Sequence, residues 1–139
     1  MDISFGWRED RQLFDEAAEM AAKADIALVS IGFNESLERE SNYRPFELPE
    51  YQDSLVTRVI EANPHTAVLV NAGSNVDMRK WQDRAEALLY LWYPGREDGT
   101  AAAEIIFGKV NPSGKLPVSL EKRWEDNPAF LLRKTITID

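Results

Sequence analysis

Three short apolar runs constrain this chain more than anything else in it: "IALVSI" at 26–31, "TAVLVN" at 66–71 and "LLYLW" at 88–92. Each is too continuous for a strand with one wet face. Runs of this kind suit parallel strands that are covered on both faces. The segments around them have helical length. In 8–24, Leu13, Phe14, Ala17, Ala18, Met20 and Ala21 fall close to one helical face. In 48–64, Leu55, Val56, Val59 and Ile60 recur at helical spacing, and Asn63-Pro64 stops the pattern. Residues 97–108 give a third, shorter helix, with acidic residues in its first turn and Gly108 just past its end. The prediction is an α/β fold: a three-layer α/β/α sandwich with a mainly parallel sheet. "LPVSL" at 116–120 reads as a short strand that Pro117 confines to an edge or keeps out of the ladder.

A chain of 139 residues is the length of one domain. Residues 1–139 are therefore read as a single unit, with 121–139 as a polar C-terminal tail. The formal charge of −8 argues against nucleic acid or an anionic membrane as partner, and no apolar run reaches spanning length. With no Cys and a single His, disulfides, thiolate catalysis, Ser-His-Asp arrangements and histidine-rich zinc sites fall away. No cofactor or metal is implied. The available chemistry rests on carboxylates, arginines and hydroxyls.

In open parallel sheets, ligands bind beyond the carboxyl ends of the strands. "NESLERESNYR" (34–44), "NAGSN" (71–75) and "WYPGRED" (92–98) all follow strands, so the three loops share one rim. The first is the longest irregular segment, and it sets Glu35, Glu38 and Glu40 beside Arg39 and Arg44. It reads either as a solvated charged loop or as a loop carrying a carboxylic acid for proton transfer. "NAGSN" is a Gly-rich turn that could cradle an anion but lacks phosphate-loop spacing, so plain turn geometry is favoured. His65 belongs to a surface turn. Trp81, Trp92 and Tyr93 are candidates for sugar stacking or for core, and Asp77 for anchoring a turn.

Taken in order, "ADIALVSIGFNES", "RPFELPEYQ", "NPHTAVLVNAGSNVDM", "LWYPGREDG", "GKVNPSGKLPVSL" and "KRWEDNPA" resemble the smaller α/β domain of glycoside hydrolase family 3, the β-glucosidase family. The resemblance runs from about Ala24 to Ala129. It implies a retaining exo-β-glycosidase in which a separate barrel domain supplies a nucleophilic Asp. The α/β domain closes over that barrel and donates the acid/base Glu. Family members carry a pattern like Glu-x-Glu-Gly-x-Asp-Arg, then Leu-Pro, which Glu38, Glu40, Arg44, Leu48 and Pro49 match. Ser41 replaces the Gly and Tyr43 the Asp. By position, the resemblance assigns the acid/base to Glu40, with Glu38 its nearest competitor, and places Glu38 and Arg44 in the sugar pocket.

The implied partners are a β-linked glucoside or oligosaccharide and the barrel, with no nucleic acid and no membrane. The implied piece of a hydrolase would be inactive alone and would self-associate through uncovered apolar surface. A non-catalytic α/β ligand-binding or interdomain module is the alternative. A flavodoxin-like nucleotide binder lacks its phosphate loop.

Overall fold

Alternation along the strands decides what the sheet covers. In the computed structural model, which describes residues 11–39, 44–49 and 51–130, β1 (Ala27–Gly32) buries Ala27, Val29 and Ile31. Leu28 and Ser30 point to the other face and are exposed. β2 (Thr66–Asn71) buries Thr66, Val68 and Val70 in the same phase. β3 (Ala87–Tyr90) completes a sheet of order β1-β2-β3, with both pairs parallel. The expected α/β fold with a parallel sheet is the one observed.

α1 (Arg11–Ala22) packs on α2 (Gln52–Ala62), and α2 packs over β1 and β2. Val56, Val59 and Ile60 of α2 meet the buried strand residues in one core, with Ala21 from α1 at its edge. Fully burying each such side chain contributes about 1.5–3 kcal/mol. This is the face under helical cover. The opposite face leaves Leu28 half exposed, although the run is apolar on both sides, while Leu88, in register with Val68 on the covered face, is exposed on the edge strand.

α1 ends against the turn between α2 and β2. Asn63, buried where its helix stops, donates from Nδ2 to the carbonyls of Ala21 (3.0 Å) and Ala24 (2.9 Å). Its Oδ1 accepts the His65 N–H at 2.8 Å. One amide thus meets the Ala24 carbonyl just past α1 and shares the Ala21 carbonyl with the Ala24 N–H. His65 itself is at the surface, paired with Glu86 at 3.0 Å.

The connection from β2 to β3 has helical length but folds as turns around Trp81, which is fully buried. Its indole fixes the turn by bonding to α2. Asp77 anchors the same connection, accepting the Arg79 N–H at 3.1 Å and the Arg79 guanidinium at 2.9 and 2.6 Å.

β3 stops two residues before the end of its apolar run. Leu91 still donates to the Val70 carbonyl, but Trp92 takes a left-handed φ of 58° and breaks the ladder. A turn (Gly95–Glu97) leads into α3 (Asp98–Ile106), which ends at Phe107 with Gly108 left-handed at φ 69°. Residues 116–120 form no strand and expose Leu116 and Val118. Pro117 brings no N–H to a ladder. The described part of the tail, 121–130, holds a short 3-10 turn (Trp124–Asp126). Glu121 accepts Asn75 Nδ2 at 2.7 Å and Asn127 Nδ2 at 2.6 Å, which ties this stretch to the rim.

Candidate functional site

The three loops expected at one rim do meet there. After β1, Asn34 organises the turn: its carbonyl accepts the N–H groups of Leu37 and Glu38 (both 3.0 Å), and its Oδ1 accepts that of Ser36 (3.0 Å). Asn side chains make such local bonds readily, which closes a tight turn without a helix. The turn carries Glu38 back over the end of β2.

Glu38 is then held by groups from three loops. Tyr93, after β3, donates its hydroxyl to Glu38 Oε2. Arg44 Nε stands 3.6 Å from Glu38 Oε1. Gly73, after β2, lies directly beneath: a Cβ there would sit 2.6 Å from Glu38 Oε1 and 3.0 Å from the Tyr93 ring. Only a residue with no side chain lets the other two loops close over it.

Arg44 is the most enclosed charge in the site, with its side chain 10% exposed. Its Nη2 donates to Ser74 Oγ and to the Asn75 carbonyl, each at 2.5 Å, and Nη1 to the Pro45 carbonyl at 3.3 Å. Its guanidinium carbon stands 4.3 Å from the centroid of the Phe33 ring. A buried cation needs such a set of acceptors to offset its lost hydration. The "NAGSN" turn therefore presents oxygens to a cation; an anion cradle would present N–H groups.

Two phenols complete the rim. Tyr90 donates to the Ser74 carbonyl at 2.6 Å, and its ring packs 5.0 Å from that of Trp92. Burial pushes the Tyr90 hydroxyl up to about 12. The Tyr93 hydroxyl is also pushed up to about 12, first by burial and then by its bond to the Glu38 carboxylate. Both remain protonated donors at neutral pH.

Glu38 and Arg44, expected in the pocket, are brought together. Glu40, with Ser41 and Tyr43, lies outside the described residues, as does the "TITID" end of the tail. Trp81, a stacking candidate by sequence, is core. Tyr93 was legible as a rim aromatic, but nothing in sequence pairs its hydroxyl with Glu38. Ser74 and Asn75 were likewise hidden as partners of Arg44. The site can hold a carboxylate in a fixed place among donors at the carboxyl ends of the strands. Among the described residues no cluster of His, Asp or Glu has the makings of a metal site, and no helix is long and apolar enough to cross a membrane.

Residues 8–136 match the model of the glycosyl hydrolase family 3 C-terminal domain. The chain is 39% identical over 121 residues to a protein of Emericella nidulans named probable beta-glucosidase I, covering 86% of this chain and 14% of that one. The structure is similar to the crystal structure of a beta-glucosidase from Kluyveromyces marxianus in complex with glucose, with a TM-score of 0.85 and 39% identity. That match covers 91% of this chain and 15% of the other. A Bifidobacterium adolescentis GH3 beta-glucosidase matches with a TM-score of 0.83 at 33% identity, over 94% of this chain and 19% of that one. The chain thus spans about one-seventh of the length of such relatives.

Proposed function

The chain belongs to the glycosyl hydrolase family 3 C-terminal domain family, and from that premise we propose that it forms the acid/base side of a retaining exo-β-glycosidase. The substrate would be a terminal β-linked glucosyl residue, and the nucleophilic Asp would come from a barrel domain outside these 139 residues. The observation that carries the reading is the knot of Glu38, Arg44 and Tyr93 at the carboxyl ends of three parallel strands. It fixes the root of the 34–44 loop where an α/β sheet receives its ligand. The glucose-bound Kluyveromyces relative supports a sugar as that ligand.

Retaining hydrolysis needs two carboxyl groups about 5–5.5 Å apart across the anomeric carbon, one as nucleophile and one as acid and then base. Glu40 is proposed for the second role. Its competitor Glu38 already has one oxygen accepting from Tyr93 and the other beside Arg44, so both oxygens are engaged within the rim. A general acid must be free to reach the leaving-group oxygen. Glu38 and Arg44 then act as pocket wall. The second reading makes Glu38 the acid/base. It draws on the place of that carboxyl, three-quarters enclosed on the rim itself.

Replacing the corresponding segment of the Kluyveromyces enzyme with this chain tests the proposal. The chimaera should hydrolyse 4-nitrophenyl β-glucoside, and the chain alone should not. With an activated leaving group, azide restores turnover to a variant lacking only its acid/base. Rescue of Glu40→Gln supports the first reading, and rescue of Glu38→Gln the second. A folded but inactive chimaera would leave a non-catalytic interdomain module.

We also propose that the isolated chain self-associates. Ile26, Leu28 and Leu88 are at least two-fifths exposed, and Phe107 is 79% exposed. Monomers seldom keep such apolar surface wet when it is contiguous. Sedimentation at micromolar concentration should show a dimer or larger, and a clean monomer refutes this part.

A further inference from the structure

We infer that Tyr93 is a positioning residue: its hydroxyl holds the Glu38 carboxylate across the rim and so sets where the turn of residues 34–39 stands beside the proposed sugar site. The inference rests on the pocket role proposed for Glu38. Three features of the fold converge on this one bond. Trp92 takes a left-handed backbone, φ 58°, ahead of Pro94 and of Gly95 at φ 85°. For an aromatic residue that conformation costs of order 1–3 kcal/mol, and such strain persists only where surroundings impose it. Here the reversal turns Tyr93 away from the line of β3 and back toward the loop after β1, onto a partner 55 positions earlier in the chain.

Gly73 is the second feature. Its missing side chain leaves the space that the Tyr93 ring and Glu38 Oε1 both occupy. The third is the lack of a substitute. Among the described residues Tyr93 is the one side chain hydrogen-bonded to the Glu38 carboxylate, because Arg44 at 3.6 Å contributes charge without a hydrogen bond. Arg44 spends its donors on Ser74, Asn75 and Pro45. The phenol keeps its proton at working pH, so it orients the carboxylate and relays nothing.

Tyr93→Phe tests this in two settings. In the 139-residue chain, hydrogen exchange at the Leu37 and Glu38 amides, both bonded to the Asn34 carbonyl, should rise about tenfold, the size of one charge-assisted bond. In the chimaera, KM for 4-nitrophenyl β-glucoside should rise about tenfold while kcat stays within about twofold. Both effects should vanish when Tyr93→Phe is made on a Glu38→Ala background, because the phenol acts through that carboxylate. Unchanged exchange, or an equal effect without Glu38, overturns the inference. If the unsubstituted chimaera does not turn over, the glycosidase reading falls instead, and the exchange cycle still decides the role of Tyr93.

Discussion

The indole N–H of Trp81 donates to Asp53 Oδ1 at 2.8 Å, joining the β2–β3 connection to the first turn of α2. The ring has no exposed surface, and Asp53 also accepts Lys80 Nζ at 2.9 Å. Asp53 thereby serves the helix N-terminus, where negative charge is favoured, and the turn that replaces a crossover helix. Trp81→Phe should cost about 2–3 kcal/mol, from the lost bond and the smaller ring, and Trp81→Ala about 3–5 kcal/mol. Urea unfolding measures both. A Phe variant as stable as the parent would show that the indole bond is idle.

Asn63 links α1 to β2 by three hydrogen bonds from one buried side chain. Asn63→Ala strands the Ala24 carbonyl and the His65 N–H, leaves the Ala21 carbonyl with the Ala24 N–H alone, and should cost about 2–4 kcal/mol. Asn63→Asp keeps the bond from His65 but sets a carboxylate against the Ala21 and Ala24 carbonyls. At pH 7 it should be the less stable of the two variants, and lowering the pH should narrow the gap. Thermal unfolding at pH 7 and pH 4 checks the order.

Asp77 gives the fold a component that acid removes. Side-chain hydrogen bonds from Arg79 hold its carboxyl below the usual value, outweighing burial, which acts the other way. A carboxyl depressed in the folded state stabilises the fold above its unfolded value near pH 4, from about which that stability drains as pH falls toward the lower folded value. The stability difference between the parent and Asp77→Asn should therefore be full at pH 6 and shrink below about pH 4. A difference independent of pH would remove Asp77 from this role.

Two glycines should respond differently to the same methyl group. A Cβ on Gly32 would stand 2.1 Å from the Asn71 backbone oxygen, which cannot move without breaking the β1–β2 ladder. Gly32→Ala should cost about 3 kcal/mol or more, at the upper end of overpacking. At Gly73 the obstacles are the end of the Glu38 side chain and, less closely, the edge of the Tyr93 ring, both of them side chains. Gly73→Ala should lose under about 1 kcal/mol of stability yet raise KM in the chimaera as Tyr93→Phe does. Equal destabilisation by both would contradict the geometry.

The strands were legible because burial follows the chain itself. Val29, Ile31, Val68 and Val70 are neighbours in pattern as well as in space. The rim was legible one level up, since parallel strands bring the loops after them to one end. What sequence withheld are bonds between loops. Tyr93 finds Glu38 across 55 residues, and Arg44 finds Asn75 across 31, with no periodicity to announce either. The same limit hid Asn63, whose Asn-Pro signature marks the end of its own helix and gives no hint that it also caps another. Trp92 illustrates the converse. Its run reads as strand, but the left-handed turn that ends β3 answers to the fold around it.

Gly32 and Gln52 are joined by two hydrogen bonds, Gly32 N–H to Oε1 at 2.9 Å and Nε2 to the Gly32 carbonyl at 3.0 Å. The side-chain amide of Gln52 occupies the outer edge of β1 as a neighbouring strand's peptide would. The interval between these two residues, which carries Glu38 and Arg44, therefore has its two ends clasped to each other. Loop-closure entropy grows only slowly with length, by about 0.6 kcal/mol per doubling. Leu48 within that interval is core and the Phe46 carbonyl accepts the Asp77 N–H, so residues can be added at little expense to the sheet only where these contacts and the clasp survive. A lengthened loop there would change the rim and leave the strands beneath it in place.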